Sequence, residues 1–438
     1  MGEIPPIHFY VLAILLIHTV GNFGYMGLWR NLTAADFDVN DFKAYYTSAT
    51  AVRTGQAGQF LYSDPARMNL GLLPDQPWVE FATSHGVPHP SAYIYPPFLA
   101  VALAPLTLLP YHEANLLWFG LNTLLLAASI VLLLSLGRQL LGRLDPLACA
   151  AVIFVCLNFF PTVRAMQCGQ AGFVLLFLTA GGLIALVRRR DPLAGLCLAL
   201  AAAIKLTPLL LIVWLAWAGR RRAAAWGAAL FAGFTACSLA VVGWSNGLLY
   251  VTGFLPVLSR GAATYANQSI NGFLNRMLTD QSMAVFGFSD EPGSVWLLTR
   301  LFAGLLLGAA FALTRPGWLG RPTADLLGEA ERRTQLLASG YALVTLSSLL
   351  VSPISWEHHY VLALVPLSVM IFLVADRGAI GSLALLSIAY VAISIDAFEL
   401  VRKELPRGAR PAMSYLLYGG LLLWGLIAAQ MRRRRTPA

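Results

Sequence analysis

The sequence feature that most constrains the fold is a series of long apolar runs separated by short groups of arginines. Apolar runs of about 18 residues or more match the hydrocarbon core of a bilayer when they fold as helices. Only 12% of the 438 residues are charged, whereas a soluble domain carries about 25%. We therefore predict an all-α polytopic membrane protein.

The arginine groups predict the orientation of this protein, because short cytoplasmic loops carry an excess of Lys and Arg. Four groups lie at residues 188–190, 220–222, 315–333 and 432–435. If all four are cytoplasmic, the chain between any two of them must cross the membrane an even number of times. This rule gives about twelve transmembrane helices with both termini in the cytoplasm. The net charge of +9 belongs to these loops, so it does not predict nucleic-acid binding.

The first apolar run has no basic residue before it and no small-residue cleavage site, so we expect a retained helix. Another run, 192–219, is interrupted by Lys205-Leu206-Thr207-Pro208. Proline inside a helix removes a backbone hydrogen bond, so we predict two short helices with Lys205 at their outer turn. The predicted transmembrane segments are residues 5–29, 115–136, 146–160, 173–187, the two halves of 192–219, 223–242, 295–313, 335–351, 359–374, 380–395 and 413–431.

We expect residues 1–438 to form a single integral membrane domain with two long connections on the outer side. The first connection is 30–111, and the second is 244–294. Within the first, residues 93–110 contain several prolines, so we predict an interfacial or re-entrant helix that does not span the membrane. The polar stretches of the chain then fall on the outer face, which predicts an active-site cavity there.

Two other classes of protein remain open. A transporter or lipid flippase also needs many helices, but its charged residues more often line a path at mid-membrane depth. A non-catalytic membrane scaffold does not need polar motifs at one face. The five cysteines show no metal-ligand spacing, and we interpret them as packing residues.

Asp41 is the candidate catalytic residue. It follows the first apolar run, where lipid ends and water begins. Transfer of a sugar to a hydroxyl group needs a carboxylate that takes the proton of the acceptor. The alternatives are an exposed loop acid or a helix cap, and Asp36 and Asp38 are acids nearby.

Three basic residues are candidates for binding a phosphate group. His358 or His359 could stabilise a leaving phosphate, and Lys205 could bind it as a point charge. Adjacent side chains on a helix diverge by about 100°, so the histidine pair does not predict a metal site. The alternatives are interfacial histidines and a lysine that extends to the membrane surface.

The remaining candidates are polar or aromatic residues in the outer connections. Gln170 precedes an apolar helix, whose N-terminal backbone N–H groups favour anions. The other candidates, whose side chains suit sugar hydroxyls or a phosphate, are Gln167, Arg164, Asn267, Gln268, Arg276 and Tyr95. The aromatic residues of this region are Tyr45, Tyr46, Trp78, Tyr93, Tyr95 and Trp356. We interpret most of them as an interfacial belt and expect one or two to stack on a sugar.

Six short motifs occur in an order that resembles one known family. They are Asp41-Phe42-Lys43-Ala44-Tyr45-Tyr46 with Gly55, Tyr95-Pro96-Pro97, Gly169-Gln170, Lys205-Leu206-Thr207-Pro208, Asn267-Gln268-Ser269, and Ser352-Pro353 to His359. Across roughly residues 41–359 the chain resembles the polyprenyl-phosphate-mannose-dependent alpha-mannosyltransferases of bacteria. These belong to the glycosyltransferase-C superfamily. The family also contains arabinofuranosyl transferases; the sugar that the resemblance favours is mannose.

The resemblance implies an inverting glycosyl transfer from a polyprenyl-phosphate sugar to a lipid-linked or glycan acceptor, without a nucleotide sugar or other cofactor. It implies Asp41 as the base, with Lys205, Gln170 and one histidine of the His358-His359 pair near the donor. It also implies a multi-pass protein of the bacterial plasma membrane whose active site faces the periplasm. The first connection lacks the adjacent pair of acids found in many members of the superfamily, so no metal is expected.

Overall fold

The fold is helical throughout the part of the chain that the computed structural model describes. That part comprises residues 16, 17, 19–21, 23, 24, 41–66, 74–285, 287, 288, 292–315, 326–375, 380–396 and 405–433. Within these residues the only β-type pairing is an isolated bridge between Asn267 and Trp356. The predicted all-α class is therefore confirmed.

The bounds of the helices follow the apolar runs closely. The α-helices are Phe42–Arg53, Ala57–Phe60, Gln76–Ser84, Pro97–Leu103, Tyr111–Leu141, Pro146–Leu157, Phe160–Gln167, Gly172–Val187, Asp191–Ile204, Leu209–Trp217, Arg221–Val242, Trp244–Leu249, Leu255–Arg260, Ile270–Leu278, Gly293–Leu313, Leu326–Val351, Leu364–Ala375, Ile380–Ser394 and Tyr415–Arg433. Tighter 3₁₀ turns occupy Ala104–Leu108, Glu357–Ala363 and Arg407–Ser414, and Tyr250–Phe254 is a π-helical turn.

Several of the described helical stretches are long and apolar enough to cross a bilayer. They are Tyr111–Leu141, Arg221–Val242, Gly293–Leu313, Ala330–Val351, Glu357–Ala375 and Arg407–Arg433. The pair Pro146–Leu157 and Phe160–Gln167, bent by 41°, would form a seventh span. These helices fit a polytopic membrane protein, while the count of about twelve crossings stays a prediction. Most of the first predicted segment, 5–29, lies outside the described residues.

The interruption at Lys205 has the predicted form. One helix ends at Ile204, and the next begins after Pro208, where a missing N–H is tolerated because the first helical N–H groups have no intrahelical partner. The chain reverses here, since Arg220 beyond the second helix donates a hydrogen bond of 2.7 Å to Asp191 at the start of the first. The prediction of two short helices is confirmed.

Burial separates the central helices from the peripheral ones. The central spans Ala330–Val351 and Glu357–Ala375 each have 83% of their most apolar window buried, whereas Arg221–Val242 and Gly293–Leu313 have 17%. The two peripheral helices therefore present apolar surface to lipid. Gly195 allows the helix Asp191–Ile204 to approach one of them closely, because a Cβ there would lie 2.6 Å from the Cβ of Trp226.

The described part of the first long connection, 30–111, folds against the helix bundle. Its helix Phe42–Arg53 is buried over ten consecutive residues, and Pro97–Leu103 packs along it. With its 3₁₀ extension to Leu108, the second helix has 12 residues and a length of about 18 Å. That length is too short for a full crossing, which fits the expected interfacial or re-entrant helix. Its position relative to the membrane stays a prediction.

The interpretation of the outer aromatics as an interfacial belt is wrong for most of them. Tyr45 and Tyr93 are fully buried and Trp78 is 1% exposed. The reason is that the connection folds on itself, so the polar groups of these side chains form hydrogen bonds inside the protein. The Tyr93 hydroxyl donates to the Pro96 carbonyl at 2.7 Å, and the Trp78 indole donates to the Phe60 carbonyl at 3.1 Å.

We predict that the two faces of the bundle can be labelled separately. In a cysteine-free background, Arg189→Cys and Arg221→Cys should react only with a reagent applied from the cytoplasm, because both lie in arginine-rich turns. Thr83→Cys, which is exposed in the first outer connection, should react only from the opposite side. The check is labelling of intact cells and inverted vesicles with a membrane-impermeant maleimide. Cytoplasmic labelling of Thr83→Cys would contradict the orientation.

Candidate active site

One cavity collects residues that are far apart in the sequence. It has a volume of about 270 Å³, and its lining includes Asp41, Tyr95, Gln170, Lys205 and His359. These residues come from the first long connection, from two turns between helices, and from the 3₁₀ turn that begins at Glu357. The structure thus brings together the predicted base, two of the candidate phosphate-binding residues and two further candidates.

Asp41 is held in the cavity by its backbone and its side chain. Its N–H donates to the Cys168 carbonyl at 2.8 Å. Its side chain makes no capping hydrogen bond to the described helix that begins at Phe42, so the helix-cap alternative does not hold. The carboxylate instead accepts a hydrogen bond from the side-chain amide of Gln170.

Two tyrosines fix the orientation of the Gln170 amide. The hydroxyls of Tyr45 and Tyr95 both donate to Gln170 Oε1, at 2.9 and 2.7 Å. Because an amide oxygen accepts and an amide nitrogen donates, this arrangement turns Nε2 toward Asp41. The carboxylate is therefore aimed by a network that spans three separate parts of the chain.

The surroundings of Asp41 change its acidity in a direction that suits a base. Burial raises the pKa of its carboxyl to about 6, although the Gln170 hydrogen bond and the Arg164 charge act to lower it. A general base is most effective when its pKa lies near the working pH. Asp41 remains mostly ionised at neutral pH and is a stronger base than an exposed carboxylate.

Lys205 and His359 form a contact on the same cavity. Lys205 Nζ lies 2.7 Å from His359 Nε2, and the Trp356 N–H points at His359 Nδ1 from 3.1 Å. When Nδ1 accepts that hydrogen bond, a neutral imidazole carries its proton on Nε2. That N–H then requires a neutral amine on Lys205. Burial also favours the neutral amine, because it lowers the pKa of Lys205 to about 7.

Three other candidates, Arg164, His358 and Gln167, do not line the cavity. The Arg164 guanidinium pairs with the buried Glu357 carboxylate at 3.1 Å. His358 is also buried, and neither of its ring nitrogens has a hydrogen-bond partner among the described residues. Its ring meets that of His359 edge to face, with centroids 4.6 Å apart. Gln167 likewise does not line the cavity. Of the two histidines, the geometry therefore brings His359 to the cavity.

Asn267, Gln268 and Arg276 are fully buried and use their side chains to hold the polypeptide. Asn267 donates to the Pro353 carbonyl and accepts from the Ser355 N–H, both at 3.0 Å. The Gln268 and Arg276 side chains donate to backbone carbonyl oxygens at 2.6 to 2.8 Å. These residues support the segment that precedes His359, and the geometry does not support their direct contact with a donor.

Sequence reasoning missed the roles of Tyr45 and Trp118 in this network. Tyr45 follows Asp41 by four residues, and this spacing could have indicated a shared helix face. Trp118 donates to the Gly169 carbonyl at 2.7 Å. Gly169 has φ of 60°, a left-handed conformation that glycine adopts without strain. No local signal in the sequence indicated the Trp118 contact.

Comparison with known proteins identifies the family. The model described as Glycosyltransferase family 87 matches residues 93–353. The chain belongs to glycosyltransferase family 87. The matched range includes Tyr95, Gln170 and Lys205, while Asp41 lies before it and His359 lies beyond it.

Three curated relatives are similar over much of the chain. Two are polyprenol-phosphate-mannose-dependent alpha-(1-2)-phosphatidylinositol pentamannoside mannosyltransferases. The protein from Mycobacterium tuberculosis is 31% identical over 285 residues, 64% of this chain and 58% of the relative. The protein from Mycolicibacterium smegmatis is 30% identical over 297 residues, 66% of this chain and 64% of the relative. The third relative is a polyprenol-phosphate-mannose-dependent alpha-(1-2)-phosphatidylinositol mannoside mannosyltransferase of Mycobacterium tuberculosis. It is 29% identical over 314 residues, 69% of this chain and 66% of the relative.

The family resemblance predicted from the six motifs is confirmed by these matches. The chain spans less than two thirds of the length of each of these three relatives.

We predict that Gln170→Leu lowers the stability of the fold and raises the pKa of Asp41. The substitution leaves the buried hydroxyls of Tyr45 and Tyr95 without their acceptor, which typically costs about 1–3 kcal/mol for an unsatisfied buried group. Loss of the hydrogen bond to its charged form should also raise the pKa of Asp41. Thermal unfolding in detergent and infrared titration of the carboxyl band check the two effects.

Gln167→Leu is the matched control for this experiment, because Gln167 lies outside the cavity lining and outside the network around Asp41. It should leave the Asp41 carboxyl band unchanged. Equal melting temperatures and equal Asp41 pKa values in Gln170→Leu and the wild type would contradict the proposed network.

Proposed function

We propose that this chain is a membrane glycosyltransferase that moves a sugar from a polyprenyl-phosphate donor to a hydroxyl group of a lipid-linked or glycan acceptor. The observation that carries the proposal is the single cavity in which a carboxylate of raised pKa lies with a lysine and a histidine. The named activities of the relatives favour mannose as the sugar and a phosphatidylinositol mannoside as one kind of acceptor.

Asp41 acts as the general base in the proposed reaction. It takes the proton of the acceptor hydroxyl while the acceptor oxygen bonds to the anomeric carbon of the sugar. The bond between that carbon and the phosphate oxygen breaks, and the polyprenyl phosphate leaves with the bonding electrons. Attack from the side opposite the phosphate inverts the anomeric configuration. The Gln170 amide keeps the carboxylate aimed, and Arg164 adds positive charge nearby.

Lys205 and His359 receive the phosphate of the donor. When the anion enters, its charge favours the protonated amine of Lys205, so the lysine takes up a proton. Both Lys205 Nζ and His359 Nε2 can then donate hydrogen bonds to phosphate oxygens, which stabilises the charge that develops as the phosphate leaves. The Trp356 N–H keeps the tautomer of His359 that carries its proton on Nε2.

The apolar part of the cavity suits a lipid-borne donor. Its lining includes Ile94, Tyr250, Leu255 and Leu258, and burial of a hydrocarbon chain against such side chains is favourable. The polar groups lie on Asp41, Lys205 and His359 in the same space, so a sugar phosphate and the first part of its lipid fit together. We further propose that this cavity faces the periplasm of a bacterial plasma membrane, with both termini in the cytoplasm.

We predict that Asp41→Asn abolishes transfer while donor binding is retained. Asparagine has nearly the same shape but cannot accept the proton, and general-base catalysis contributes about 10² to 10⁴ in rate. Purified protein in lipid, incubated with radiolabelled polyprenyl-phosphate mannose and a lipid extract, measures transfer and binding separately.

Asp36→Asn and Asp38→Asn are the matched controls, since both acids precede Asp41 in the same connection. Both lie outside the described residues. Both should remain substantially active. Near-normal turnover of Asp41→Asn would exclude Asp41 as the base, and loss of transfer in Asp38→Asn alone would move the role to Asp38.

We predict a bell-shaped pH dependence of kcat/KM. Activity should rise as pH passes about 6, where Asp41 loses its proton, and fall above about 7, where Lys205 loses its charge. Lys205→Arg should lose the alkaline limb, because a guanidinium stays protonated. Lys205→Ala should lower the rate by about 10² to 10³ if the loss resembles that of an oxyanion donor.

His359→Ala and His358→Ala form a matched pair for the same assay, since only His359 lines the cavity. We expect the larger loss in His359→Ala. An alkaline limb that persists in Lys205→Arg would assign that limb to another group. Unchanged turnover and donor affinity in Lys205→Ala and in the double variant His358→Ala with His359→Ala would reject a phosphate-binding role for Lys205 and for the histidine pair.

A further inference from the structure

A second cavity lies away from the candidate active site. It has a volume of about 220 Å³ and is lined by Arg189, Arg220 and Arg333 together with apolar residues that include Val187 and Leu337. At about 30 Å³ for each water molecule, this space would hold about seven waters. It therefore has room for a small polar group such as a phosphate ester.

The two cavities lie at opposite ends of the same helices. The helix Gly172–Val187 begins two residues after Gln170 and ends at the second cavity, and Asp191–Ile204 returns from there to Lys205. A helix of 16 residues is about 24 Å long. The second cavity therefore lies near the opposite membrane surface, where the arginine groups predict the cytoplasm.

The charged residues that line the second cavity are all arginines. The Arg220 guanidinium donates to the Asp191 carboxylate at 2.7 Å and to the Leu186 carbonyl at 3.2 Å. Asp191 thus pairs with one of these arginines. Arg189 is exposed at the rim, and Arg333 reaches the same space from the helix Leu326–Val351.

The backbone of Arg189 is unusual for a residue with a side chain. Its φ is 56°, in the left-handed region that favours glycine at the end of a helix. The hydrogen bonds from the Arg189 N–H to the Leu186 carbonyl, 3.0 Å, and from the Arg190 N–H to the Ala185 carbonyl, 2.7 Å, close this helix end. Glycine would close it with less strain, so the printed hydrogen bonds of this helix end do not require the Arg189 side chain.

We propose that this cavity binds the phosphate-bearing headgroup of an anionic membrane lipid. Guanidinium groups match the geometry of phosphate oxygens, and basic pockets between transmembrane helices on the cytoplasmic side recognise such headgroups. The partly exposed side chains of Val187 and Leu337 suit the glycerol and first acyl carbons of the same molecule. A free phosphate ion would gain nothing from that apolar lining, so the structure favours the lipid.

The test is a binding measurement on the full chain in detergent, independent of transferase activity. Native mass spectrometry during titration with phosphatidylglycerol, and with phosphatidylcholine as the zwitterionic comparison, gives the apparent affinities. The wild type should prefer phosphatidylglycerol. The double variant Arg189→Gly with Arg333→Gln should bind it roughly 30-fold more weakly, because it lacks two basic groups near the headgroup.

The matched control is Arg138→Gln with Arg143→Gln, which also removes two exposed charges at the same end of the bundle and outside the cavity. It should bind phosphatidylglycerol like the wild type. The single variant Arg189→Gly separates binding from folding, since glycine suits the positive φ and should keep or raise the melting temperature while weakening lipid binding.

Three results would overturn the proposal. They are equal affinity of the wild type for the two lipids, equal weakening by the cavity and control double variants, and displacement of phosphatidylglycerol by millimolar inorganic phosphate. The last result would assign the cavity to a free anion.

Discussion

The hydrogen bond between the Gln170 amide and the Asp41 carboxylate joins the first long connection to the helix bundle. Tyr45 and Tyr95 donate to the oxygen of the same amide, and the Asp41 N–H donates to Cys168. Glutamine can make all these contacts because its side chain has both donors and an acceptor. A glutamate would repel Asp41, and an apolar residue would leave both tyrosine hydroxyls unpaired, so the aim of the carboxylate depends on this side chain.

Burial in the same cavity shifts the pKa values of the acid and of the amine in opposite directions. It raises the pKa of Asp41 to about 6 and lowers that of Lys205 to about 7, because a medium of low dielectric disfavours either charge. Both groups can therefore change protonation near neutral pH, which neither does when exposed. An arriving phosphate restores the charge of Lys205 without removing that of Asp41, so a proton acceptor and a phosphate-binding cation can exist together.

Much of the fold follows from local sequence, and less of the site does. Apolar runs with proline at their boundaries predicted most of the described helices, and Pro208 predicted the turn at Lys205. The sequence pattern could not show which polar side chains donate hydrogen bonds to the protein backbone. Asn267 and Arg276 were expected at the donor, yet both are buried against the protein backbone. Choosing between His358 and His359 likewise required the direction of each side chain, which depends on the tertiary fold.

Asn267 and Gln268, which are buried in the second long connection, hold His359 in position although no regular α-helix surrounds it. The segment before His359 is bridged to Asn267 at Trp356, and the Tyr360 hydroxyl donates to the Gln268 carbonyl at 2.6 Å. These contacts hold the chain on both sides of His359. Because buried polar groups are costly when unpaired, the motif resists any shift that would break one contact alone. A polar stretch that does not line the cavity thereby determines where the histidine that does line it can lie.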